Sequence, residues 1–442
     1  MRKVLGIGAA VLCSLVVLFT GCSAPSEPSS PSMPSTPSTP STPSAPGSSD
    51  PILEKIEITA EPARKEYYVG SSQINTIGMI VKATYNNSTT IDVTEEVKIN
   101  GFDSSAATDS KTITVTYGEK SADFIIKIVP SQPYSFHNTV TVLPSGTTGS
   151  YGTEGSYVEF GDWPQNVVSE ADAEILELEN SKDKITRGYM EFVQGLDGNY
   201  YVKHKLKWYK VMPIKWRVAD TAYDVDGKNG SATGKLLVAE SILTGNVPYY
   251  EKTGYKRIIN GGISSNNYTY SQIRAYLNGN TYIYYSGFGS NEEKSTWQGK
   301  GFLQTAFTSD AIDNIIITKV DNSSLSTTDK DGKLKPTNTG SISTDDRIFL
   351  LSEYEVTKYS KEAYDESGKG NSRIRFATDF AKANNVNQNT TDGFGSIWWL
   401  RTPGPDGEAS ARIVLASGYA GSTGGVVYET DYGVVPALSI SF

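Results

Sequence analysis

The sequence predicts a multidomain protein in which an all-β sandwich is followed by a larger α+β domain. Between residues 52 and 129, apolar and polar residues alternate in short runs separated by turns, as in antiparallel strands. Beyond residue 156, strand-like runs mix with short segments that begin with helix-capping residues. Stretches rich in proline, serine and threonine separate these regions, and 442 residues leave room for two or three domains.

The first residues have the layout of an export signal. Two basic residues precede an apolar stretch over residues 4–19, which suits a signal peptide and is short for a membrane-spanning helix. Residues 18–22 (LFTGC) resemble the bacterial lipobox, although Phe19 stands where leucine is commonest. The resemblance implies that residues 1–21 are removed and that Cys22 carries a lipid, which makes the membrane a partner. The alternative is an ordinary secretory signal with a chance Gly-Cys pair.

Cysteine usage agrees with this interpretation. The chain has two cysteines, and Cys13 lies within the stretch that would be discarded. Because lipid would consume Cys22, no thiol remains for a disulfide, a metal site or nucleophilic catalysis. We therefore expect an extracytoplasmic protein, lipid-anchored to the cell membrane or outer membrane of a bacterium.

Residues 22–50 are predicted to form a tether behind the lipidated cysteine. Proline recurs at every third position from Pro34 to Pro43, with serine and threonine between. Such a segment has too little apolar surface to fold and favours the extended polyproline form, at about 3.1 Å per residue. The tether would hold the following domains away from the membrane.

Residues 51–130 are predicted to form the sandwich. Ile113 and Val115, for example, alternate with threonines before a turn, and no helical periodicity of useful length appears. The segment resembles bacterial immunoglobulin-like domains of the group-three type, on the runs at residues 53–58, 65–70, 80–85, 97–104 and 111–118. The resemblance implies a spacer or adhesive module on a bacterial surface.

Residues 131–155 are rich in proline, serine, threonine and glycine and are predicted to be a linker to the domain at 156–442. In that domain we expect three helix starts, at Ser271, at Ser352 with Glu355 as a capping box, and at Thr378. Strands are expected at residues 214–218, 235–239, 348–351 and 434–440, and an exposed loop at residues 321–346. Their mixed order favours α+β over repeated βαβ units.

Residues 156–442 resemble an uncharacterised domain that recurs in extracellular bacterial proteins. The resemblance rests on blocks such as FGDWPQ at residues 160–165, WRV at 216–218, WWLRTPG at 398–404 and GVVPAL at 433–438. The domain also resembles, faintly, the C-type lectin-like fold, in which a tryptophan block, a variable loop and a final strand form the ligand-facing half. That comparison would make residues 416–431 the variable loop.

No motif for catalysis, metal binding or a cofactor stands out. A net charge of −9 disfavours nucleic acid as a partner, and neither a nucleophile elbow nor a phosphate-binding glycine loop occurs. In the EF-hand register, the Asp-Gly turns at residues 224–227 and 327–332 lack the first acidic ligand and the closing Glu of a calcium loop. Two histidines, His137 and His204, do not make a zinc site. We expect no metal, no cofactor and no enzymatic activity. A catalytic carboxylate pair for glycoside hydrolysis has no fixed spacing in a sequence, so that activity stays open as an alternative.

Loop aromatics are the candidate ligand-binding residues. Tyrosine and tryptophan in polar surroundings stack on sugar rings or partner surfaces, although half-buried loop aromatics are the commoner outcome. The candidates are Tyr249, Tyr250, Trp297, Tyr419 and Tyr428, with Tyr284 and Tyr285 in similar surroundings.

The sequence as a whole predicts a lipid-anchored protein of the cell surface or periplasm, which binds a glycan or a protein outside the cell. The first alternative is an enzyme acting on cell-surface glycans, and the second is a structural envelope protein without a ligand.

Overall fold

The computed structural model describes residues 50–149, 155–228, 230–252, 265–285, 291–322, 343–360, 371–389, 393–404 and 409–441. The chain divides into Met1–Pro51 and a compact unit, Ile52–Phe442, which holds nearly all of these residues. Among them, no helix combines the length and the apolar character needed to cross a bilayer.

Two sheets facing each other form the N-terminal sandwich, as predicted. Its strands are β1 (Leu53–Ala60), β2 (Glu66–Tyr68), β3 (Ile80–Tyr85), β4 (Thr90–Asp92), β5 (Lys98–Asn100), β6 (Thr108–Tyr117) and β7 (Lys120–Val129). One sheet has the order β1-β3-β4 and the other β2-β7-β6-β5. The alternating apolar residues, among them Val81, Ile113, Val115 and Phe124, are buried between the sheets.

The predicted linker is partly built into the larger domain. Strand β8 (Thr141–Val142) pairs with β9 (Tyr157–Val167), and Phe136 stacks on Tyr200 with ring centroids 5.0 Å apart. The described part of the predicted linker over residues 131–155 therefore packs on the larger domain as well as joining it to the sandwich. Its aromatic residues bury apolar surface that a free linker would expose to water.

The larger domain, which we call the head, contains the remaining strands. They are β10 (Lys184–Arg187), β11 (Met190–Gln194), β12 (Tyr200–His204), β13 (Lys207–Asp224), β14 (Thr233–Ala239), β15 (Tyr282–Tyr285), β16 (Asn291–Lys294), β17 (Thr318–Asp321), β18 (Ser343–Asp346), β19 (Ile348–Phe349), β20 (Trp398–Pro403), β21 (Ser410–Val414), β22 (Ala420–Val426) and β23 (Ala437–Ile440).

The described helices are short and lie in the head. They are α1 (Glu170–Ile175), α2 (Gln272–Asn278), α3 (Phe302–Ala306), α4 (Ser309–Asp313), α5 (Glu353–Tyr359) and α6 (Asp379–Ala383). The three predicted caps are confirmed. Ser271 accepts from the backbone of Arg274, Thr378 accepts from that of Ala381, and Ser352 and Glu355 form the capping box.

A nine-stranded sheet is the centre of the head, so the α+β fold class is confirmed. Its order is β10-β11-β12-β13-β14-β23-β19, and β9 pairs with β13 and with β8. The long strand β13 pairs first with β12, then with β9 and finally with β14. Trp163, Trp216, Trp398 and Trp399 are all buried, because they fill the core beside this sheet and the smaller sheet β20-β21-β22.

Two loop predictions in the head are corrected. Residues 420–426, inside the predicted variable loop at 416–431, form β22 and pair with β21. The predicted exposed loop at residues 321–346 begins and ends in the hairpin of β17 and β18, and its middle lies outside the described residues. The sequence did not predict strand β22, because residues 420–426 are rich in glycine and contain threonine, and so show no alternation of apolar and polar residues.

Candidate functional site

Tyr249 and Tyr250 are buried, so neither offers an aromatic face to a ligand. Tyr249 is 0% exposed and Tyr250 is 1% exposed. The Tyr249 hydroxyl donates to the carbonyl of Arg401 at 2.8 Å, and the Tyr250 hydroxyl donates to that of Ile283 at 2.8 Å. Burial raises the pKa of Tyr249 well above its usual value. The prediction of these two as ligand-binding residues is wrong, because their segment runs beneath α2 and fills the core.

The remaining predicted aromatics do not form one site. Trp297 is half-buried and packs edge-on against Tyr276, with ring centroids 4.9 Å apart. Tyr419 is half-buried in the turn before β22, and Tyr284 on β15 lies under the Lys294 ammonium at 4.8 Å. The side chain of Tyr285 lies outside the described residues. Tyr428 lines a sizeable groove.

A groove of about 710 Å³ opens beside Tyr428, and we call it the Tyr428 groove. It is lined by Pro248, Glu251, Lys252, Gln272, Tyr428, Glu429 and Thr430. Of these lining residues, the sequence had indicated only Tyr428 as a candidate. Its neighbours Glu429 and Thr430 follow it in the turn after β22, whereas residues 248–252 and Gln272 come from distant segments that the fold brings beside it.

Backbone hydrogen bonds fix the groove to the core of the head. The amide of Tyr250 donates to the carbonyl of Val427 at 2.8 Å, and the amide of Asn246 donates to that of Thr430 at 2.9 Å. These bonds tie the residues after β22 to the segment that carries Pro248 and Glu251. Gln272 is the first residue of α2, directly after its cap, so its position is set by a buried helix start.

The side chains of the groove are mostly polar and carry both charges. The Lys252 ammonium lies 5.2 Å from the centre of the Tyr428 ring, and Glu251 accepts a hydrogen bond from Tyr282. Burial, reinforced by this bond, raises the pKa of Tyr282. The buried side-chain oxygen of Gln272 has no hydrogen-bond partner among the described residues, which is costly unless a ligand or water supplies a donor.

Buried arginine–carboxylate pairs cross-link the head away from the Tyr428 groove. Arg401 and Glu355 form a two-pronged pair, and Arg412 lies 2.9 Å from Glu353. Burial opposes ionisation of Glu355, but Arg401 and the hydrogen bond from Ser352 hold its pKa below the usual value. A carboxylate held ionised in this way suits cross-linking rather than proton transfer.

The two histidines have separate environments. His137 Nδ1 lies 2.8 Å from Asp162, which also accepts from the Tyr134 hydroxyl at 2.6 Å, and the ring of His204 packs against Phe380. No group of three His, Cys, Asp or Glu side chains in the described parts of the chain is arranged to hold a metal ion. In residues 224–227, Asp224 accepts from the amide of Gly227 at 3.0 Å, as in a tight turn, whereas residues 327–332 lie outside the described part.

Comparisons with known families support both domains. Residues 60–128 match the bacterial Ig-like domain (group 3), which confirms the predicted resemblance and indicates presentation outside the cell. Residues 233–442 match a domain of unknown function (DUF6273), which covers the later blocks of the head.

Matches to individual proteins add little. No curated protein matches the chain. Three chains of solved structures match. One is a solution structure described as that of a surface protein, 28% identical, which covers 20% of this chain and 98% of its own. Its TM-score of 0.13 is too low to carry an argument.

Proposed function

We propose that this protein is a lipid-anchored binding protein that uses the Tyr428 groove to bind a glycan outside the cell. Residues 1–21 direct export, Cys22 carries the lipid, and residues 23–50 separate the folded unit from the membrane. The Ig-like domain, which is typical of surface proteins, supports presentation outside the cell.

The observation that carries the proposal is the mixture of groups in the groove. One aromatic ring, two carboxylates, an ammonium, an amide and a hydroxyl belong to residues that line a single space, and the amide oxygen of Gln272 has no donor among the described residues. Sugar hydroxyls both donate and accept hydrogen bonds, so they match such a lining, and a sugar ring covers an aromatic side chain at little entropic cost.

Glycan binding is tested with the complete chain on an array of bacterial and host glycans. We expect binding that Tyr428→Ala weakens about tenfold, equivalent to about 1.4 kcal/mol. Tyr354→Ala, which removes an exposed tyrosine outside the groove, is the matched control and should leave binding unchanged. Absence of any glycan ligand would contradict the proposal and favour a structural envelope protein. Equal loss in both variants would contradict the assignment of binding to the Tyr428 groove.

A glycan-acting enzyme is the alternative, because Glu251 and Glu429 line the same groove. Paired carboxylates are the usual catalytic groups of glycoside hydrolysis. An enzyme would release products from a bound glycan, and both Glu251→Gln and Glu429→Gln would abolish the release. A binding protein would release no product, whatever the effect of these variants on affinity.

A further inference from the structure

A second groove, which we call the α1 groove, lies between α1 and the tip of the β12–β13 hairpin. It has a volume of about 690 Å³, and its apolar lining consists of Val167, Val168, Ala173, Leu206 and Trp208. Trp208 belongs to a small buried cluster with Leu178 and Tyr201, so the floor of the groove is firmly packed. The α1 groove and the Tyr428 groove share no lining residue.

The apolar groups of the α1 groove are unusually open to water. Leu206 is 90% exposed and Val167 is 44% exposed. Leu206 occupies a hairpin tip, where a polar residue would serve the turn equally well. The adjacent Lys205 has a left-handed backbone (φ 55°), and its ammonium donates to the carbonyl of Ala383 at 2.8 Å, which holds the tip in place. An ordered apolar patch of this kind is typical of an interaction site.

Charge decides which partner fits the α1 groove. Glu170, Glu174, Glu177 and Glu179 line it against Lys207, and Lys203 pairs with Glu179 at 2.7 Å, which leaves two net negative charges. Glu170 forms no ion pair with any other described residue. Such a rim repels anionic lipid and nucleic acid, and it repels a second copy of a chain whose own net charge is −9.

We propose that the α1 groove binds a cationic amphipathic segment of a partner protein. Apolar side chains of the segment would cover Leu206, Val167 and Trp208, while its lysines or arginines would face the glutamate rim. Burial of the exposed leucine supplies the driving force, and the charges supply orientation and selectivity.

The test titrates the complete chain with a short peptide in which leucine and lysine alternate. Calorimetry measures the affinity of the peptide. We expect Leu206→Ser and Glu170→Lys each to weaken binding about tenfold, and Lys207→Glu to strengthen it, with all effects of charge reduced at high salt. A gain of affinity in Lys207→Glu is informative because misfolding does not produce it.

Matched changes on the Ig-like sandwich serve as controls. Ile125→Ser removes an exposed isoleucine and Glu119→Lys reverses an exposed glutamate, and both should leave peptide binding unchanged. Equal binding of a leucine–glutamate peptide, or peptide affinity indifferent to Leu206→Ser, would overturn the proposal. So would a dimer that Leu206→Ser dissociates, or binding to phosphatidylglycerol vesicles in place of the peptide.

Discussion

His137 and His204 are the two histidines of the chain, and their surroundings shift their pKa values in opposite directions. The hydrogen bond to Asp162, together with the charges of Asp162 and Glu159, outweighs partial burial and raises the pKa of His137. Partial burial and the nearby Lys205 ammonium lower the pKa of His204, against a smaller effect of the Ala383 carbonyl. Folding therefore favours the charged form of one histidine and the neutral form of the other.

These shifts predict opposite contributions to stability near neutral pH. The contribution of His137 is complete below its unfolded pKa of about 6.5 and is lost as pH rises through its higher folded pKa. His204 opposes folding as pH falls below about 6.5, because the unfolded chain takes up its proton first. In urea titrations, His137→Gln should therefore reduce the fall in the free energy of unfolding as pH rises above 6.5. His204→Gln should reduce the fall in that free energy as pH drops below 6.5. Identical pH profiles for the two variants would contradict these assignments.

The tyrosines show why the candidate site was predicted only in part. Tyr249 and Tyr428 both stand among polar neighbours in the sequence, yet Tyr249 is buried and Tyr428 lines a groove. Nothing local distinguishes them, because burial depends on which distant segment covers each ring. Gln272 and Glu251 carried no signal of their own, since their proximity to Tyr428 arises from the fold.

Helix α1 joins the head to the Ig-like sandwich, although it belongs to the head. Ile175 at its end is buried in the core of the sandwich. Three polar contacts surround it: Asp172 pairs with Arg64, Glu174 accepts from Gln73, and Glu177 accepts from the amide of Ser72 at 2.7 Å. The sandwich is therefore a docked part of the folded unit rather than a freely jointed spacer.

Shortening Ile175 tests this docking. Ile175→Ala should lower the free energy of unfolding by about 2–5 kcal/mol, the usual cost of a cavity in a core. Because the contact links two domains, a calorimetric scan should also separate into two transitions. Ile125→Ala, which shortens an exposed isoleucine of the sandwich, should keep the profile of the original chain. A single unshifted transition in Ile175→Ala would show that the domains do not depend on this contact.

The short helices were predictable because their starts are local. Ser271, Ser352 and Thr378 each precede a few residues whose amides need an acceptor, and that need is evident from the sequence. Helix α1 has the same kind of cap at Ser169, whose hydroxyl accepts from the backbone amide of Asp172 at 3.1 Å. Its docking was not predictable, because Ile175 packs against a domain from another part of the chain.

At the scale of the whole molecule, the proposed lipid attachment at Cys22 would decide where the folded unit acts. We expect Cys22→Ala to abolish incorporation of labelled palmitate and to move the protein from the membrane to the soluble fraction. Cys13→Ala, within the stretch predicted to be removed, should retain both the label and the membrane location. Continued labelling of Cys22→Ala would contradict lipidation at this position.

The sequence by itself determined the two-domain order, the sandwich class and the helix starts, because alternation and capping depend on neighbouring residues. It also contained the Ig-like segment that the family comparison confirms. Only the tertiary structure decided that β8 joins the head, that residues 420–426 form a strand and that α1 docks on the sandwich. It also decided that Tyr428 shares a groove with Gln272 while Tyr249 is buried. These outcomes depend on contacts between distant segments. The free energy of such contacts cannot be predicted from a local pattern of residues.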